Sequence, residues 1–366
     1  MSSRPTDNGG LTAWQETDPT AWDAFVETAE HRAFPQLWAW GELRVDAGWR
    51  PIRLLVGPDP ARPRAGVQLL LRRVPLGGWS LAYAPRGPVG ELDDPAVREA
   101  LIAGLHALGA AERIGRVRAD PETTASEPYG AALLTAPWRE APKVQPPTTR
   151  LVDLTRPHEE LWSDLGRKHR QYVSKAGREG VTIEPIAADA DPSAVAAAVA
   201  DFDRIYRDTG TRAGFAVRVP AYYRRVWEAF AAAGRARLSF AVRDGERVAV
   251  LFHLLCGDRV AEVYGGMTET GAASRANYLL KWEAIRALQA EGLRTYDLWG
   301  LATGGIRKFK EGFGGTEVTW VGARDLGLGR TGDAIVGLAL AAHGTRTRVR
   351  HGRRSSPGAE PGAAAD

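Results

Sequence analysis

The residues best suited to chemistry in this chain are two lysines in a glycine-rich segment. It reads Tyr296-Asp-Leu-Trp-Gly-Leu-Ala-Thr-Gly-Gly-Ile-Arg-Lys-Phe-Lys-Glu-Gly-Phe-Gly-Gly315. The chain has 48 basic residues, and only six are lysine: Lys143, Lys168, Lys175, Lys281, Lys308 and Lys310. Arginine is therefore the default cation, and two lysines so close together stand out. Glycines let a backbone come close to a ligand. A lysine beside them offers a compact ammonium that a planar guanidinium does not imitate. The segment predicts a site.

Other chemistries find little support. The single cysteine, Cys256, excludes a disulfide within the chain and a multi-cysteine metal site. It lies in the apolar run Val248-Ala-Val-Leu-Phe-His-Leu-Leu-Cys256 and is expected to be a buried strand residue. The seven histidines, at 31, 106, 158, 169, 253, 343 and 351, show no ligand spacing, so no metal is expected. There is no Walker loop and no GxSxG elbow.

With 366 residues, 44% hydrophobic and 25% charged, the chain is of globular type and long enough for two domains. The formal net charge is +4, with Arg346, Arg348, Arg350, Arg353 and Arg354 crowded near the end. Such patches suit an anionic partner: a phosphate, a nucleic acid or an acidic lipid. A polar start without a signal-peptide core, and no apolar run of about 20 residues, make a cytoplasmic protein the expectation.

These residues must be positioned by elements that the patterning outlines. Residues 1–10 are expected to be disordered. A strand and helix lie between Trp14 and Glu30, and a short helix spans about Gln36 to Ala47. Strands follow at Pro51–Gly57, Ala65–Val74 and Trp79–Ala84, then a helix at Asp94–Glu112 and a strand at Ile114–Ala119. Prolines 137, 142, 146 and 147 mark a boundary. Helices at 157–180, 191–209 and Tyr222–Ala233 precede strands at Ala236–Arg243, Arg247–Leu255 and Arg259–Gly265. Asp244-Gly245 signals a hairpin. A helix runs from about Asn277, a candidate N-cap, to Glu291, with Gly292 as its stop. The strand Thr295–Trp299 leads into the glycine-rich segment. A strand at Thr316–Arg324 and a helix at Asp333–Ala342 follow, before a tail too poor in apolar residues to fold alone.

Both halves thus show three strands, a helix and a strand, preceded by helices. This suggests an internal duplication of one α/β unit. The order resembles the N-acetyltransferase fold, in which a pyrophosphate rests on a loop patterned [R/Q]-x-x-G-x-[G/A]. The literal match, Arg324-Asp-Leu-Gly-Leu-Gly329, comes after the last strand. The loop expected to carry the pattern, Gly265–Asn277, lacks it. CoA is therefore not expected as the donor.

Several further stretches resemble the Fem family, the aminoacyl-tRNA-dependent peptidyl transferases of peptidoglycan bridges. They are Phe34-Pro-Gln-Leu-Trp-Ala-Trp-Gly-Glu-Leu-Arg44, Tyr83-Ala-Pro-Arg-Gly-Pro-Val89, the basic stretch Lys168–Val181, Tyr264-Gly-Gly, Asn277-Tyr-Leu-Leu-Lys-Trp-Glu283, Tyr296-Asp-Leu-Trp-Gly300 and Phe309-Lys-Glu-Gly-Phe-Gly-Gly315. Together they cover about residues 30 to 320, and the last is the most specific. The resemblance implies an α/β (α+β) protein of two tandem acetyltransferase-like (GNAT) domains with mixed sheets. The first would span 11–147, completed by about 316–342, and the second 148–315. Residues 343–366 would form a disordered basic tail. No long heptad stretch is present to form the coiled-coil arm of some members.

The resemblance also implies roles. An amine of a peptidoglycan-precursor stem peptide would attack the ester of an aminoacyl-tRNA, the co-substrate, with no other cofactor. Lys310 would stabilise the oxyanion and relay a proton, and Phe309 would shape its pocket. Arg44 stands where the family has a phosphate-contacting lysine. Tyr83, Arg86, Tyr264 and Arg212 are candidate substrate contacts. Glu262 stands where the family often has a tyrosine, a departure that bears on acceptor choice. Arg167, Lys168, Arg170 and Lys175 offer a basic helix surface to tRNA phosphates. The precursor is either lipid-linked or UDP-linked. Peripheral contact with the inner face of the membrane and a monomeric state are further expectations. Other readings are a relative acting in natural-product biosynthesis, a non-catalytic binder of tRNA or precursor, and an acyl-CoA transferase.

Overall fold

The computed structural model describes residues 10–187, 189–301 and 304–351. The expected disorder at the start, the tail beyond 351, and Ala302 and Thr303 of the glycine-rich segment lie outside the described residues. The chain divides into two compact units. The first extends to Pro147 and takes the chain back at Trp320; the second is Thr148–Thr319.

The first unit begins with strands β1 (Thr12–Gln15), β2 (Arg50–Gly57), β3 (Ala65–Arg73), β4 (Ser80–Arg86), β5 (Val89–Gly90), β6 (Ile114–Pro121) and β7 (Arg139–Glu140). Its helices are α1 (Pro19–Thr28), α2 (Trp38–Glu42), α3 (Pro95–Glu112) and α4 (Pro128–Leu133). The second unit has strands β8 (Thr148–Asp153), β9 (Thr182–Ile186), β10 (Ala236–Arg243), β11 (Glu246–Cys256), β12 (Arg259–Met267), β13 (Thr295–Asp297) and β14 (Thr316–Thr319). Its helices are α5 (His158–Asp164), α6 (Arg167–Arg178), α7 (Pro192–Ala213), α8 (Pro220–Ala231), α9 (Glu269–Ala273), α10 (Ala276–Ala290) and α11 (Gly305–Glu311). Strand β15 (Arg324–Gly327) and helix α12 (Arg330–His351) then return to the first unit.

Each unit carries one mixed sheet, ordered β1-β2-β3-β4-β6-β15-β7 in the first and β14-β8-β13-β12-β11-β10-β9 in the second. In the first, β2, β3 and β4 pair antiparallel, and α3 carries the chain over to β6, parallel to β4. In the second, β10, β11 and β12 do the same, and α10 leads to β13, parallel to β12. Parallel neighbours need such a crossover because a tight turn reverses direction. The duplicated order expected from the sequence is thus present in three dimensions.

Local rules explain the boundaries. Asp18, Asp94 and Asp191 each precede a helix whose first residue is proline, and each side chain accepts a bond from a backbone N–H two residues on. Asp244 (φ 53°) and Gly245 (φ 80°) take the left-handed pair of angles that a two-residue hairpin requires. Apolar clusters on the sheets include Leu54, Val67, Leu69, Leu101, Leu105 and Val117 in the first unit, and Val152, Leu161, Val173, Leu251, Ile285 and Phe313 in the second. Each such side chain contributes about 1.5–3 kcal/mol when fully buried. Cys256 is buried at the end of β11.

Several expected elements differ. The helix expected over Gln36–Ala47 is only the five residues of α2, flanked by 3-10 turns. Gln36 is fully buried, donates to Pro85 O (2.8 Å) and accepts from Gln68 N (2.7 Å), which holds the chain extended at Leu37. The helix over 157–180 breaks into α5 and α6 where Gly166 N bonds Gly312 O (2.9 Å). Residue Asn277 is not the cap of α10; Arg275, at φ 60°, stands there. The strand expected over 316–324 is two strands in two sheets, with Trp320 N bonding Pro147 O and Gly322 turning at φ 75°. Four of the six residues of the apparent pyrophosphate motif, Arg324–Gly327, are β15, hydrogen-bonded to β6. Helix α12 runs past Ala342 to His351, into the stretch expected to be a disordered tail.

Candidate active site

The glycine-rich segment is not a loop throughout. It leaves β13 at Asp297, turns, and forms the short helix α11. The turn has left-handed angles at Trp299 (φ 48°) and Gly300 (φ 55°). A left-handed tryptophan is strained and persists only where neighbours hold it. Asp297, buried, supplies that hold: one carboxylate oxygen accepts from Trp299 N (2.7 Å) and from the hydroxyl of Thr149. The carbonyls of Trp299 and Gly300 then converge on Lys310, whose Nζ donates to them at 2.5 and 2.8 Å. Lys310 lies in the last turn of α11, where a cation is favoured by the helix dipole. It is half-buried, whereas Lys308 is exposed.

Behind Lys310 lies an aromatic shell. Phe309 packs edge-on against Tyr278 (4.9 Å) and Phe313 (5.2 Å), and His169 packs against Tyr278 and Phe313 at 4.9 Å. His169 Nε2 lies 2.9 Å from Phe309 O. A carbonyl only accepts, so Nε2 carries the hydrogen. Burial pulls the His169 imidazole below its ordinary pKa, which keeps it neutral. Gly312 permits this packing: a Cβ there would sit 1.9 Å from His169 Cε1. The glycines of Phe309–Gly315 thus serve close approach within the protein.

Deeper still is a buried polar chain. Lys281 Nζ donates to Glu262 Oε1 (2.6 Å), and Tyr296 Oη donates to Glu262 Oε2 (2.6 Å). His253 Nε2 is 2.8 Å from Tyr296 Oη and donates to it, because the phenol hydrogen goes to the carboxylate. All four side chains are buried. Burial alone would raise the Glu262 carboxyl, but the charges of Lys281 and Lys310 and the hydrogen bond from Lys281 outweigh it and hold the group below its ordinary range. Burial brings the His253 imidazole down to about 4.

The register of β12 sets this chain apart from the neighbouring aromatic cluster. Phe252 pairs with Tyr264 and His253 with Glu262, so Val263 is bulged out. Residues two apart on a regular strand share a face. Here the bulge sends Glu262 toward α10 and Tyr264 the other way, among Phe202, Tyr206 and Tyr223 of α7 and α8. Glu262 is therefore not a neighbour of Tyr264 on one surface. It is an internal ion-pair partner.

The other expected site residues fall into two groups. Arg44, Tyr83 and Arg86 belong to the first unit and are buried. The Arg44 guanidinium lies 4.1 Å over the Trp40 ring. Arg86 donates to Pro146 O (2.9 Å) and stands 3.8 Å from Asp120 and 3.4 Å from Glu122; Tyr83 Oη is 3.4 Å from Asp120. Burial pushes the Asp120 carboxyl up, against the pull of Arg86. In the second unit, Tyr264 lies 3.4 Å from Tyr222 Oη, and Arg212 donates to Met267 O. On α6, Arg167 and Lys168 are exposed and Lys175 pairs with Glu179 (3.5 Å). Arg170 is turned inward onto Ser163 O (2.7 Å) and Leu165 O (2.5 Å).

Sequence reasoning gave no role to Lys281 and His253, and it named Glu262 without its partner Lys281. The scarcity of lysine was the signal for Lys281: of the six, it alone is buried. Among the described residues no group of His, Cys, Asp and Glu side chains could hold a metal ion, and no helix is long and apolar enough to cross a membrane.

Known proteins resemble this arrangement. A family profile for the acetyltransferase (GNAT) domain matches residues 167–311, which contain Lys281 and Lys310. Lipid II:glycine glycyltransferases of Staphylococcus haemolyticus (strain JCSC1435) and Staphylococcus aureus are 24% and 25% identical over 226 residues. That stretch is 59% of this chain and 52% of theirs, so the chain spans about half the length of the curated relatives it matches. The crystal structure of FemX superimposes with a TM-score of 0.77 at 18% identity, covering 86% of this chain and 97% of that one. A tandem GNAT protein from the clavulanic acid biosynthesis pathway gives 0.51 at 13% identity, covering 87% and 99%. At these identities the structural likeness establishes the fold, two tandem acetyltransferase-like domains. The chain thus has the GNAT fold, and in sequence it is similar to the lipid II:glycine glycyltransferases.

Proposed function

We propose that this chain is an aminoacyltransferase. It moves an amino acid from aminoacyl-tRNA to an amine of a peptidoglycan-precursor stem peptide, in the cytoplasm at the inner face of the membrane, without CoA. The observation that carries the reading is the Lys310 ammonium, half-buried and held by the carbonyls of Trp299 and Gly300. The likeness to lipid II:glycine glycyltransferases supports the precursor as acceptor.

The chemistry needs no covalent enzyme intermediate, because the ester donor is already activated. The amine nitrogen attacks the ester carbonyl, and a tetrahedral oxyanion forms. A preorganised cation beside that oxygen lowers the barrier, since it does not reorganise as charge develops. Collapse breaks the bond to the tRNA ribose oxygen. The proton lost by the amine ends on that leaving hydroxyl, with the Lys310 ammonium as the relay. Phe309 walls the position beside it. The exposed cations Arg167, Lys168 and Lys175 meet tRNA phosphates, and Arg44, Tyr83, Arg86, Tyr264 and Arg212 serve the precursor, Arg44 its phosphate.

The test is a reconstituted assay with labelled aminoacyl-tRNAs and both lipid-linked and UDP-linked precursors. Transfer that disappears in Lys310→Ala is expected. No transfer from any tRNA to either acceptor, or tight CoA binding by calorimetry, would overturn the reading.

A further inference from the structure

Lys281 sits in the middle of α10 with 1% of its surface exposed, the deepest lysine of the chain. Its ammonium has two kinds of neighbour. One is Glu262, at 2.6 Å. The other is aromatic: Nζ lies 4.8 Å from the centroid of Phe309 and 5.3 Å from that of Phe313. Phe309 immediately precedes Lys310, so the cation touches the turn of α11 that carries the reactive ammonium.

A buried ion pair is a weak device for stability, because desolvation offsets most of the Coulomb gain and an apolar pair of similar size does as well. The helix that carries Lys281 is otherwise set in an apolar core, with Leu280, Trp282 and Ile285 on α10 and Leu298 and Phe313 in the same cluster. What the pair does supply is fixed geometry. Glu262 is held at both oxygens, by Lys281 and by Tyr296, and Tyr296 is held in turn by His253. The chain therefore spans β11, β12 and β13 and ends on two rings of the Phe309–Gly315 segment. An ammonium facing a ring is attracted to its quadrupole, more strongly when desolvated.

We propose that Lys281 is a positioning residue: anchored by Glu262, its ammonium seats Phe309 and Phe313 and so fixes the turn that holds Lys310 against the carbonyls of Trp299 and Gly300. This rests on the reading of Lys310 as the reactive ammonium. Lys281 does not meet substrate. Its effect passes through Phe309.

The test compares wild type with the paired variant Lys281→Met/Glu262→Gln, which removes both charges and keeps an acceptor for Tyr296. Its thermal midpoint is expected to stay near that of the wild type. Misplacing a catalytic group by a fraction of its working distance lowers kcat on the order of a hundredfold, with KM for either substrate little changed. Amide hydrogen exchange over Ile306–Phe313 is expected to quicken roughly tenfold while the sheet amides keep their protection. A paired variant that folds and turns over at the wild-type kcat overturns the proposal. Unchanged exchange over α11 also overturns it. Should the wild type transfer nothing, the function fails by itself, and the exchange measurement still decides the role of Lys281. If the paired variant does not fold, Glu262→Gln alone is read by the same exchange, with the same two outcomes.

Discussion

Lys310 is held by Trp299, a residue in left-handed backbone, whose carbonyl takes the ammonium at 2.5 Å. Gly300 O accepts the same nitrogen at 2.8 Å. Two carbonyls spaced for one tetrahedral nitrogen do not suit a planar fork. Replacing Lys310 by methionine is expected to lower kcat by about 10²–10³, the usual cost of losing one oxyanion-stabilising group. Lys310→Arg is expected to restore little of it. Single-turnover rates on variants with wild-type circular dichroism decide this; full activity in Lys310→Arg would show that charge alone suffices.

Gly312 packs against His169 with no room for a methyl group. Gly312→Ala is expected to cost about 1–3 kcal/mol through overpacking. In a His169→Ala background the same substitution is expected to cost clearly less, since the clash is with that ring. Urea denaturation of the four proteins in the cycle measures the coupling. Additive effects would place the strain elsewhere.

His253 is neutral and buried, with its pKa brought down to about 4 chiefly by burial; Glu262 opposes the shift, and Lys281 and Arg237 add to it. An unfolded histidine titrates near pH 6.5. Between these values the unfolded chain binds the extra proton, so stability is present above about pH 6.5 and is lost as pH falls toward 4. The full loss is on the order of 3 kcal/mol. His253→Gln, which still donates to Tyr296 and does not titrate, is expected to lose less over that window. Parallel unfolding curves at pH 7 and 4.5 make the comparison, and equal losses would assign the acid sensitivity to other groups.

Arg118 binds both carboxylate oxygens of Asp325, at 2.8 and 2.9 Å, across β6 and β15. Both residues are buried. Asp325→Ala leaves that guanidinium uncompensated and is expected to destabilise the protein by about 3–5 kcal/mol. Replacing both partners by apolar residues is expected to recover much of it. Thermal midpoints of the single and double variants are the measurement. A harmless Asp325→Ala would mean that solvent reaches the pair.

On α6, exposure separates two kinds of cation. Arg167 and Lys168 are exposed, whereas Arg170 is turned inward onto the end of α5. Each neutralised phosphate contributes roughly one unit to the slope of log affinity against log salt. Arg167→Ala and Lys168→Ala are each expected to lower that slope for tRNA by about one. Arg170→Ala is expected to lower thermal stability instead. Titrations by fluorescence anisotropy at several salt concentrations separate these outcomes.

Much of this was legible in the sequence because it is local. Asp244-Gly245 announced a hairpin, and apolar runs announced β2, β3, β4 and β6 of the first sheet and β10, β11, β12 and β13 of the second, though not β8 or β9. Lysine scarcity pointed to the pair Lys308 and Lys310, and the structure separates them by burial. Helix α11 was hidden because glycines crowd its flanks, and glycine is a poor helix former. The break of 157–180 at Gly166 was hidden because its cause, Gly312, lies far along the chain.

By itself the sequence determined the repeated run of three strands, a helix and a strand, and the few lysines available for chemistry, all of which follow from short-range periodicity and composition. Only the tertiary structure decided that Lys281, Glu262, Tyr296 and His253, from four separate elements, form one buried chain beneath Phe309. The physical reason is strand register. One bulged residue, Val263, turns Glu262 and Tyr264 to opposite faces of the sheet, and no alternation of residue types records where such a bulge falls.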